Sequence, residues 1–421
     1  MKRFSNQEIL DLAKKAKEAA GEVAVFAAQV KNRALEMMAD ALIAEKDFIL
    51  SENKKDLQEA RKAHLSPAFI DRLMLSAERI KKMSDSLKAL IALADPVGEV
   101  IKQWRVSAGF LIKKVRVPIG VIAIIYESRP DVTSDCIGLA LKSGNCVILR
   151  GGSEAIKSNT AIFTVIRKAL NNLAIPEAAI NLIPTTERKA VRALLKLNEY
   201  IDLVIPRGGE GLIREVANIS RIPVIKHYKG ICHIYVDVEA NLNMAQKVCF
   251  NAKVQRPGVC NAMETMLVHQ DVAVRFLPGM IKAFKEKGVE IFGCPLTRKI
   301  IKKGIFKATE KNFKTEYLDL KLSVRVVRDI DEAIRHINLY GSRHSDAIIT
   351  DSEKAAEYFL KRIDSACVYH NVSTRFTDGF QFGLGAEIGI STDKIHARGP
   401  MALEELTTYK YIILGKGEVR R

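Results

Sequence analysis

The sequence contains no apolar run long enough to cross a bilayer. The longest, residues 117–126, includes Pro118 and Gly120, whereas a spanning helix needs about 20 consecutive apolar residues. Residues 1–8 are mostly polar or charged and lack the apolar core of a signal peptide. We therefore expect a cytoplasmic protein with no membrane partner.

The sequence also lacks the cysteine and histidine patterns of disulfide frameworks and zinc sites. Its seven cysteines are an odd number and are widely spaced, without a Cys-x-x-Cys pair. The eight histidines form no close group. Because zinc ligands and structural disulfides usually come at short, repeated spacings, we predict neither a disulfide framework nor a bound metal.

Negative charge is scarcer than positive charge. The 49 Asp and Glu residues face 66 Lys and Arg residues, which leaves a net charge of +17. Such a surplus suits nucleic acid, a membrane surface or an anionic small molecule. The densest basic segment, residues 298–314, interleaves Phe306 and Phe313 with lysines and arginines but matches no named nucleic-acid motif. We interpret it as a solvated helix face with aromatic residues in the core, and we predict no nucleic-acid partner.

Short apolar runs alternate with helical periodicity over two long stretches. Before them, helices fill residues 5–95, which begin with a capping box of Ser5 and Glu8. The alternation predicts parallel sheets covered by helices, with ligands at the carboxyl ends of the strands. The expected strands are 120–125, 145–149, 180–183, 202–205 and 223–226 in the first stretch, and 232–236, 265–269, 324–327, 347–350 and 367–369 in the second. The fold class is therefore α/β.

Residues 99–117 depart from this alternation. Two strand-like runs flank Ser107, Ala108 and Gly109. A glycine-bearing turn between two such runs predicts a β-hairpin, which includes the only tryptophan, Trp104. The last strand-like segment of the chain is 409–414.

One cysteine, Cys260, lies in a loop rather than in a helix or strand. In this loop, residues 255–265, Pro257 and Gly258 end the preceding helix, and Arg256 would favour the thiolate. A lone cysteine is more often a small buried apolar residue. From the residues alone, nucleophile and core residue remain equally good interpretations of Cys260.

Two glycine-bearing turns follow predicted strands. Arg150 precedes Gly151, where backbone can approach a phosphate and the guanidinium can bind it. Gly208 and Gly209 open a helix, whose first amides suit a pyrophosphate. The second turn does not match the G-x-G-x-x-G fingerprint, so dinucleotide binding and an ordinary turn both stay open for it.

The nucleophile loop resembles that of the aldehyde dehydrogenase superfamily, and the chain is similar in particular to the glutamate-5-semialdehyde dehydrogenase family. Further motifs follow that family's order: YESRP at 126–130, PRGG at 206–209, HYKG at 227–230, GAEIGIS at 385–391 and HARGP at 396–400. They span nearly the whole chain, so the resemblance is specific.

The resemblance implies an aldehyde-dehydrogenase-like fold with three parts. A Rossmann-like NADP-binding domain would comprise residues 1–98 and 118–228, and an α/β catalytic domain would comprise 229–400. A small oligomerisation arm would comprise 99–117 and 401–421, which implies a homo-oligomer. Glutamate 5-kinase, which would supply the substrate, is a candidate partner.

The activity implied by the resemblance is the NADPH-dependent reduction of L-glutamyl 5-phosphate to L-glutamate 5-semialdehyde and phosphate, the second step of proline biosynthesis. Cys260 would attack the acyl phosphate and form a thioester. Its backbone N–H would bind the oxyanion, with Ser128 at the position of the superfamily's asparagine donor and Asn261 as a second candidate. His227 replaces the glutamate that activates water in hydrolytic members, so the thioester would be kept for hydride.

Candidate binding residues follow from the chemistry of the implied substrate and, for Glu316 and Arg150, from the resemblance. Arg129 and Arg256 would bind the anionic groups of the substrate, although either is equally compatible with a structural ion pair. His344 would either line the site or simply pack against other residues. Glu316 would hold the hydroxyls of the nicotinamide ribose. Arg150 takes the place of a lysine near the adenosine ribose, which favours a 2′-phosphate and therefore NADP(H).

Two other functions stay open. A CoA-acylating aldehyde dehydrogenase also lacks the glutamate base, and turnover with CoA in place of phosphate would identify it. A nucleic-acid-binding protein with a degenerate enzyme fold would account for the positive charge, and a steep salt dependence of RNA or DNA binding would identify that function.

Overall fold

The computed structural model describes residues 4–420, apart from the side chains of residues 67 and 68, and confirms the α/β class. Two sequence-based predictions lie partly outside the described residues. They concern the start of the N-terminal segment that lacks a signal-peptide core, residues 1–3, and residue 421 at the end of the predicted arm. Over the described residues the chain forms two compact units.

The helices and strands alternate as the sequence predicts. The helices are α1 Asn6–Val23, α2 Ala28–Ala44, α3 Lys46–Lys62, α4 Pro67–Leu73, α5 Ala77–Ala92, α6 Val132–Lys142, α7 Ile156–Leu170, α8 Arg188–Leu194, α9 Glu210–Ile219, α10 Leu242–Val254, α11 Gln270–Glu286, α12 Pro295–Ile301, α13 Glu310–Phe313, α14 Ile330–Tyr340 and α15 Glu353–Arg362. The strands are β1 Val100–Arg105, β2 Leu111–Pro118, β3 Val121–Tyr126, β4 Cys146–Arg150, β5 Ile180–Leu182, β6 Leu203–Arg207, β7 Cys232–Val236, β8 Met263–His269, β9 Glu290–Gly293, β10 Phe306–Lys307, β11 Lys321–Val327, β12 Ser345–Ile349, β13 Cys367–His370, β14 Gly389–Ser391, β15 Gly399–Met401 and β16 Thr407–Leu414. None of the helices within residues 4–420 has both the length and the apolar character that a membrane span requires.

Unit 1 consists of Met1–Lys226, Gly383–Gly389 and Met401–Arg421. Its parallel sheet has the strand order β5-β4-β3-β6. Every residue of β3 and β4 is buried, as expected for strands covered on both faces. The predicted capping box is confirmed, because the Ser5 hydroxyl accepts the Glu8 N–H and the Glu8 carboxylate accepts the Ser5 N–H. The carboxyl ends of β3, β4 and β6 meet at one sheet edge.

A separate antiparallel sheet in unit 1 has the order β1-β2-β16. The predicted hairpin is confirmed, with Trp104 opposite Ile112. The predicted C-terminal strand pairs with β2, and Tyr411 packs edge-on against Trp104 with 6.2 Å between ring centroids. The two segments assigned to an oligomerisation arm therefore form one sheet, whereas the role of that sheet stays a prediction.

Unit 2 consists of His227–Phe382 and Ile390–Pro400. Its sheet is parallel throughout, in the order β10-β9-β11-β8-β7-β12-β13. β7 and β8 are fully buried, and one hydrophobic cluster joins this sheet to α10 and α11 through Cys249, Phe276 and Phe284. The assignment of cofactor binding and catalysis to separate domains is a statement about function and stays a prediction.

Some local predictions are wrong or incomplete. Among the described residues, 223–226 form no strand and contribute one bridge between Val204 and Val224, because Pro223 has no N–H to donate to a ladder. Residues 298–314 do not form one helix face but are divided among α12, β10 and α13. Of the two aromatic residues expected in the core, Phe313 is buried, whereas Phe306 is 56% exposed. The short strands β9 and β10 are absent from the sequence-based prediction.

Candidate active site

Cys260 lies at the amino edge of the unit 2 sheet, in the loop that joins α10 to β8. The helix ends at Val254, and the loop turns through a hydrogen bond of 3.1 Å from the Ala262 N–H to the Val259 carbonyl. The Cys260 side chain is partly exposed, whereas the neighbouring Cys232 is buried. A partly exposed thiol in a loop favours the nucleophile interpretation over the core interpretation.

The backbone of Cys260 packs directly against the start of β7. A Cβ atom at Gly230 would lie 2.6 Å from the Cys260 Cα atom, so only glycine fits there. The Cys232 thiol donates a hydrogen bond of 3.2 Å to the Cys260 carbonyl. Burial raises the pKa of the Cys232 thiol well above its usual value, so this thiol stays protonated and able to donate.

Glu316, the predicted ribose ligand, lies in the same region. Its carboxylate accepts the Gly230 N–H at 2.9 Å. Two residues later, Leu318 donates its N–H to the Glu264 carboxylate at 3.1 Å. The structure thus brings Glu316 to the glycine that touches Cys260.

Arg375 is a site residue that the sequence does not reveal. It follows β13, and its Nε donates to Gln255 Oε1 at 2.9 Å while its Nη1 donates to Asn261 Oδ1. These two partners flank Cys260 along the chain. Burial, reinforced by the neighbouring Arg256, lowers the pKa of the Arg375 guanidinium. The partly buried Arg375 and the exposed Arg256 therefore give the loop two positive charges.

The side chain of Asn261 is already engaged. Its amide nitrogen donates to the Thr377 carbonyl at 2.7 Å and to the Arg375 carbonyl at 3.4 Å. Asn261 is also only 4% exposed. Donation of this amide to an oxyanion would require the bond to Thr377 to break, so the oxyanion role of Asn261 stays a prediction.

His344 is fully buried at the amino end of β12. Its Nδ1 lies 2.9 Å from the Ser345 hydroxyl and 3.7 Å from the Cys232 thiol. Its ring packs edge-on against His227, with 5.7 Å between ring centroids. His344 therefore contacts a residue that supports Cys260, and its role in substrate binding stays a prediction.

In unit 1, Arg150 ends β4 and lines an open pocket of about 480 Å³. It is 9% exposed, its Nη2 donates to the Thr186 carbonyl at 3.4 Å, and its buried Nε has no hydrogen-bond partner in the part of the chain that the structure describes. Arg188 and Arg192 line the same pocket, together with three carboxylates, those of Glu127, Glu154 and Glu215. A buried, unmatched guanidinium donor near other arginines suits an anionic ligand such as a phosphate.

The predicted glycine turns have two different structural causes. At Gly151 a Cβ atom would clash with Asn159 Nδ2 and lie 3.1 Å from the Tyr126 ring, so packing favours glycine. At Gly208 a Cβ atom would lie 2.6 Å from the carboxyl carbon of Glu127, and Glu127 Oε2 accepts the Gly209 N–H at 2.8 Å. A carboxylate of the same unit therefore binds the N-cap amide of α9, at the predicted position of a pyrophosphate.

Ser128 adopts a left-handed backbone conformation, with a φ of 53°. Its N–H and its hydroxyl both donate to Glu154, at 2.7 and 3.2 Å. Arg129 follows it and is partly buried. Ser128 and Arg129 thus lie on the loop after β3, at the same edge of the unit 1 sheet as Arg150 and Gly208.

Comparison with known proteins identifies the family. The model of the Aldehyde dehydrogenase family matches residues 1–293. The gamma-glutamyl phosphate reductase of Thermodesulfovibrio yellowstonii is 53% identical over 415 residues, which cover 99% of each chain, and that of Carboxydothermus hydrogenoformans is 55% identical over 413 residues, which cover 98% of this chain and 99% of the relative. The crystal structure of gamma-glutamyl phosphate reductase from Thermotoga maritima has a TM-score of 0.96 at 48% identity and covers 98% of this chain and 100% of its own.

The chain belongs to the gamma-glutamyl phosphate reductases. The resemblance carried by the motifs is thereby confirmed. The fold of these reductases extends to distant relatives, since an acetylating aldehyde dehydrogenase from Geobacillus thermoglucosidasius has a TM-score of 0.72 at 16% identity.

The predicted site residues of the chain fall into two sets. Unit 1 carries Ser128, Arg129, Arg150, Gly151, Gly208 and Gly209, and unit 2 carries Arg256, Cys260, Asn261, Glu316 and His344. Within residues 4–420, no three Asp, Glu, His or Cys side chains converge in a way that could hold a metal ion. The roles of the individual residues remain predictions.

Proposed function

We propose that the chain catalyses the NADPH-dependent reduction of L-glutamyl 5-phosphate to L-glutamate 5-semialdehyde and phosphate, the second step of proline biosynthesis. The observation that carries the proposal is Cys260, a partly exposed loop thiol in a member of the gamma-glutamyl phosphate reductases. The enzyme acts on a small molecule and, as a member of the aldehyde dehydrogenase family, uses a nicotinamide cofactor. The choice of NADP(H) is part of the proposal.

Cys260 performs the first half of the reaction. Its thiolate attacks the acyl carbon of the substrate, the bond from that carbon to the phosphate oxygen breaks, phosphate leaves, and a thioester to Sγ remains. The backbone N–H of Cys260 donates to the oxyanion of the tetrahedral intermediate. The contacts of Gly230 and Cys232 with the Cys260 backbone support this position.

The second half of the reaction converts the thioester to the aldehyde. Bound NADPH supplies the hydride. Cys260 then leaves as the thiolate when the carbonyl of the semialdehyde re-forms. His227, instead of a carboxylate, stands at the position of the general base of hydrolytic relatives, and its ring packs against His344. The carboxylate that activates water in hydrolytic relatives is therefore absent from that position, which favours reduction of the thioester over its hydrolysis.

Charged residues of the unit 1 pocket support the assignment of a phosphorylated dinucleotide. Arg150 contributes a buried Nε without a partner among the described residues. Burial lowers the pKa of the Arg150 guanidinium, the carboxylate of Glu154 raises it in part, and Arg188 lowers it further. A 2′-phosphate carries a charge of about −2 near neutral pH. Two guanidinium groups bind such a group better than the uncharged hydroxyl of NAD(H), so we assign NADP(H) to this pocket.

The test is NADP+ reduction in the reverse direction, with glutamate 5-semialdehyde as substrate. It is measured with and without inorganic phosphate for the wild type, Cys260→Ser and Cys367→Ser. Cys367 is the other partly exposed cysteine, so its variant is a matched control. We expect phosphate-dependent activity that Cys260→Ser loses and Cys367→Ser keeps.

Other outcomes would contradict the proposal. Activity that needs CoA in place of phosphate would identify a CoA-acylating enzyme. Activity that needs neither would identify a hydrolytic enzyme and contradict the role of His227. Full activity of Cys260→Ser would show that Cys260 is not the nucleophile. No activity, together with salt-sensitive binding of RNA or DNA, would favour the nucleic-acid alternative.

We further propose that the β1-β2-β16 sheet is an oligomerisation arm that packs against a second copy of the chain. Tyr409, Tyr411 and Ile413 alternate along β16 and are 48%, 51% and 58% exposed, and exposed apolar patches of this kind mark interaction sites. Sedimentation velocity should show a smaller species for Ile413→Lys, whereas Lys410→Glu, on the opposite face of the strand, should keep the wild-type state. Equal sedimentation of all three proteins would exclude the arm.

A further inference from the structure

Lys253 and Glu264 form a buried ion pair at the two ends of the nucleophile loop. Lys253 lies in the last turn of α10 and Glu264 lies in β8. Their Nζ and Oε2 atoms are 2.7 Å apart, and both side chains are fully buried. Residues 254–263 connect them and include Cys260. The pair therefore closes the loop at its base.

The second carboxylate oxygen of Glu264 reaches another segment of the site. Glu264 Oε1 accepts the Leu318 N–H at 3.1 Å. Leu318 has a φ of 51°, a left-handed conformation that a leucine rarely adopts. Strained backbone persists only where its surroundings hold it. Glu264 provides such a contact two residues from Glu316.

Glu316 connects this series of contacts to the nucleophile, Cys260. Its carboxylate accepts the Gly230 N–H at 2.9 Å. Gly230 in turn packs on the Cys260 backbone closely enough to exclude a Cβ atom. Contacts therefore run from Glu264 to Cys260 along the loop and also through the segment of Leu318 and Glu316.

We propose that the buried pair of Lys253 and Glu264 positions the site by setting the distance between the Cys260 thiol and the Glu316 carboxylate. Both are positioning residues, because both are fully buried and act through the loop and through Leu318. The claim that Lys253 and Glu264 serve acyl-phosphate reduction rests on the proposed function. Their effect on the reactivity of Cys260 is independent of the proposed function.

Stability alone is a poor explanation for this pair. The desolvation of two charges offsets most of their attraction, and well-packed apolar residues often replace a buried ion pair without loss of stability. Burial raises the pKa of the Glu264 carboxyl and lowers that of the Lys253 ammonium. Each charge therefore depends on the presence of the other, and the pair is better explained by the geometry it imposes.

Unit 1 contains a matched ion pair whose partners all belong to that unit. Lys31 Nζ lies 2.8 Å from Asp95 Oδ2, and Asp95 Oδ1 accepts the Val97 N–H at 3.0 Å. As in unit 2, a buried lysine meets a carboxylate that also holds a backbone N–H. The test therefore compares Lys253→Met/Glu264→Leu with Lys31→Met/Asp95→Leu.

Three properties are measured for the wild type and both double variants. The first is the rate of Cys260 alkylation by iodoacetamide, followed by mass spectrometry of the Cys260 peptide. The others are the thermal unfolding midpoint and the separate values of kcat and KM. For Lys253→Met/Glu264→Leu we expect alkylation to change about fivefold or more and kcat to fall about tenfold or more with little change in KM, because a misplacement of about 1 Å costs rate rather than affinity.

The control double variant should keep the alkylation rate and kcat within about twofold of the wild type, since unit 1 carries the charge change without the loop contacts. Equal changes in both double variants would mean general destabilisation and would overturn the proposal. An unchanged alkylation rate in Lys253→Met/Glu264→Leu would overturn it as well.

Glu264→Asp is a second, milder variant that tests the positioning role if Lys253→Met/Glu264→Leu does not fold. It keeps both charges and shortens the side chain by one methylene, so the contacts with Lys253 and Leu318 cannot both persist. We expect alkylation and kcat to shift in the same sense as in the double variant, and no shift in either would overturn the proposal. If the chain reduces no acyl phosphate, the alkylation rates still test the positioning role, while the proposed function fails separately.

Discussion

The carboxylate of Glu127 accepts the backbone N–H of Gly209 at 2.8 Å. Gly209 is the N-cap of α9, so a negative charge of the protein occupies the position where the positive end of a helix dipole binds anions. The Glu127 N–H also bonds to the Arg207 carbonyl at 3.0 Å, which fixes the backbone of Glu127 beside the helix. A pyrophosphate at this helix would have to displace the carboxylate.

Glu127→Gln should therefore tighten the binding of NADP+. The amide keeps an acceptor for the Gly209 N–H but removes the opposing charge. Because a charge near a helix N-terminus is worth about 0.3–1 kcal/mol, we expect the dissociation constant to fall by about two- to fivefold. Isothermal titration calorimetry measures this dissociation constant.

The control is Glu210→Gln, which removes the carboxylate that pairs with Arg214 at 2.7 Å. It should change the dissociation constant of NADP+ less than Glu127→Gln does. Weaker binding by Glu127→Gln would show that the carboxylate assists the cofactor.

Arg188→Gln should reduce the preference for a 2′-phosphate. Arg188 lines the pocket of Arg150. A hydrogen bond to a charged group contributes about 1.5–3 kcal/mol, so loss of one of two charged donors to a phosphate should weaken binding by about tenfold or more. The readout is calorimetric binding of adenosine 2′,5′-bisphosphate compared with adenosine 5′-monophosphate. The affinity for the monophosphate should change little. Lys189→Gln, the same charge change one residue further along α8, should alter neither affinity. An equal loss for both ligands in Arg188→Gln would place the arginine elsewhere on the nucleotide.

The elements that the sequence predicts well are those with a strong apolar signal of their own. β3, β4 and β7 are buried along their whole length, so continuous apolar runs mark them. β9 and β10 are short, and Glu290, Phe306 and Lys307 in them are exposed. No alternation marks such strands, because their pairing with β11 and with each other is decided by tertiary contacts.

The site residues also differ in how well the sequence predicts them. Motifs near Cys260 and Glu316 locate these residues from local sequence. Arg375 and its partner Asn261 are 114 positions apart, and no local pattern encodes that contact. The rule that ligands bind at the carboxyl ends of parallel strands selects the loops of Ser128, Arg150 and Gly208 in unit 1. It does not select Cys260, because the loop from α10 reaches the sheet at the amino end of β8.

Arg375→Lys should loosen the nucleophile loop. The arginine bonds to Gln255 and Asn261 on either side of Cys260, and a lysine ammonium does not reproduce the planar fork. A hydrogen bond to a charged group contributes about 1.5–3 kcal/mol, so amide exchange in residues 255–262 should accelerate by about tenfold or more. Hydrogen–deuterium exchange with mass spectrometry measures this.

The control for Arg375→Lys is Arg325→Lys, which disturbs another arginine contact in unit 2. Arg325 lies on β11 and pairs with Glu332 at 2.9 Å. Its replacement should leave exchange in residues 255–262 unchanged. Equal exchange of this loop in the wild type and Arg375→Lys would mean that the two hydrogen bonds contribute nothing to the order of the loop.

His336 is buried in an aromatic cluster of unit 2. Its ring centroid lies 5.0 Å from that of Phe313, 4.5 Å from that of Tyr340 and 5.5 Å from that of His233. Neither ring nitrogen has a hydrogen-bond partner among the described residues. Burial, reinforced by His233 and Arg325, lowers the pKa of His336 to about 2, so the folded protein keeps this ring neutral through mild acid.

This low pKa makes the protein less stable in acid. A histidine in the unfolded chain titrates near pH 6.5, so above that pH neither state binds the proton and His336 has no pH effect. Below it only the unfolded state takes up the proton, and the free energy of unfolding should fall by about 1.4 kcal/mol between about pH 7.5 and 5.5 from His336 alone. Urea unfolding at the two pH values measures this loss. Between these pH values, the free energy of unfolding of His336→Phe should fall by about 1.4 kcal/mol less than that of the wild type. Replacement of the exposed His64 by Asn is the control and should leave the fall as large as in the wild type. Identical losses in the wild type and His336→Phe would mean that the folded protein also protonates His336, by opening the cluster of Phe313 and Tyr340.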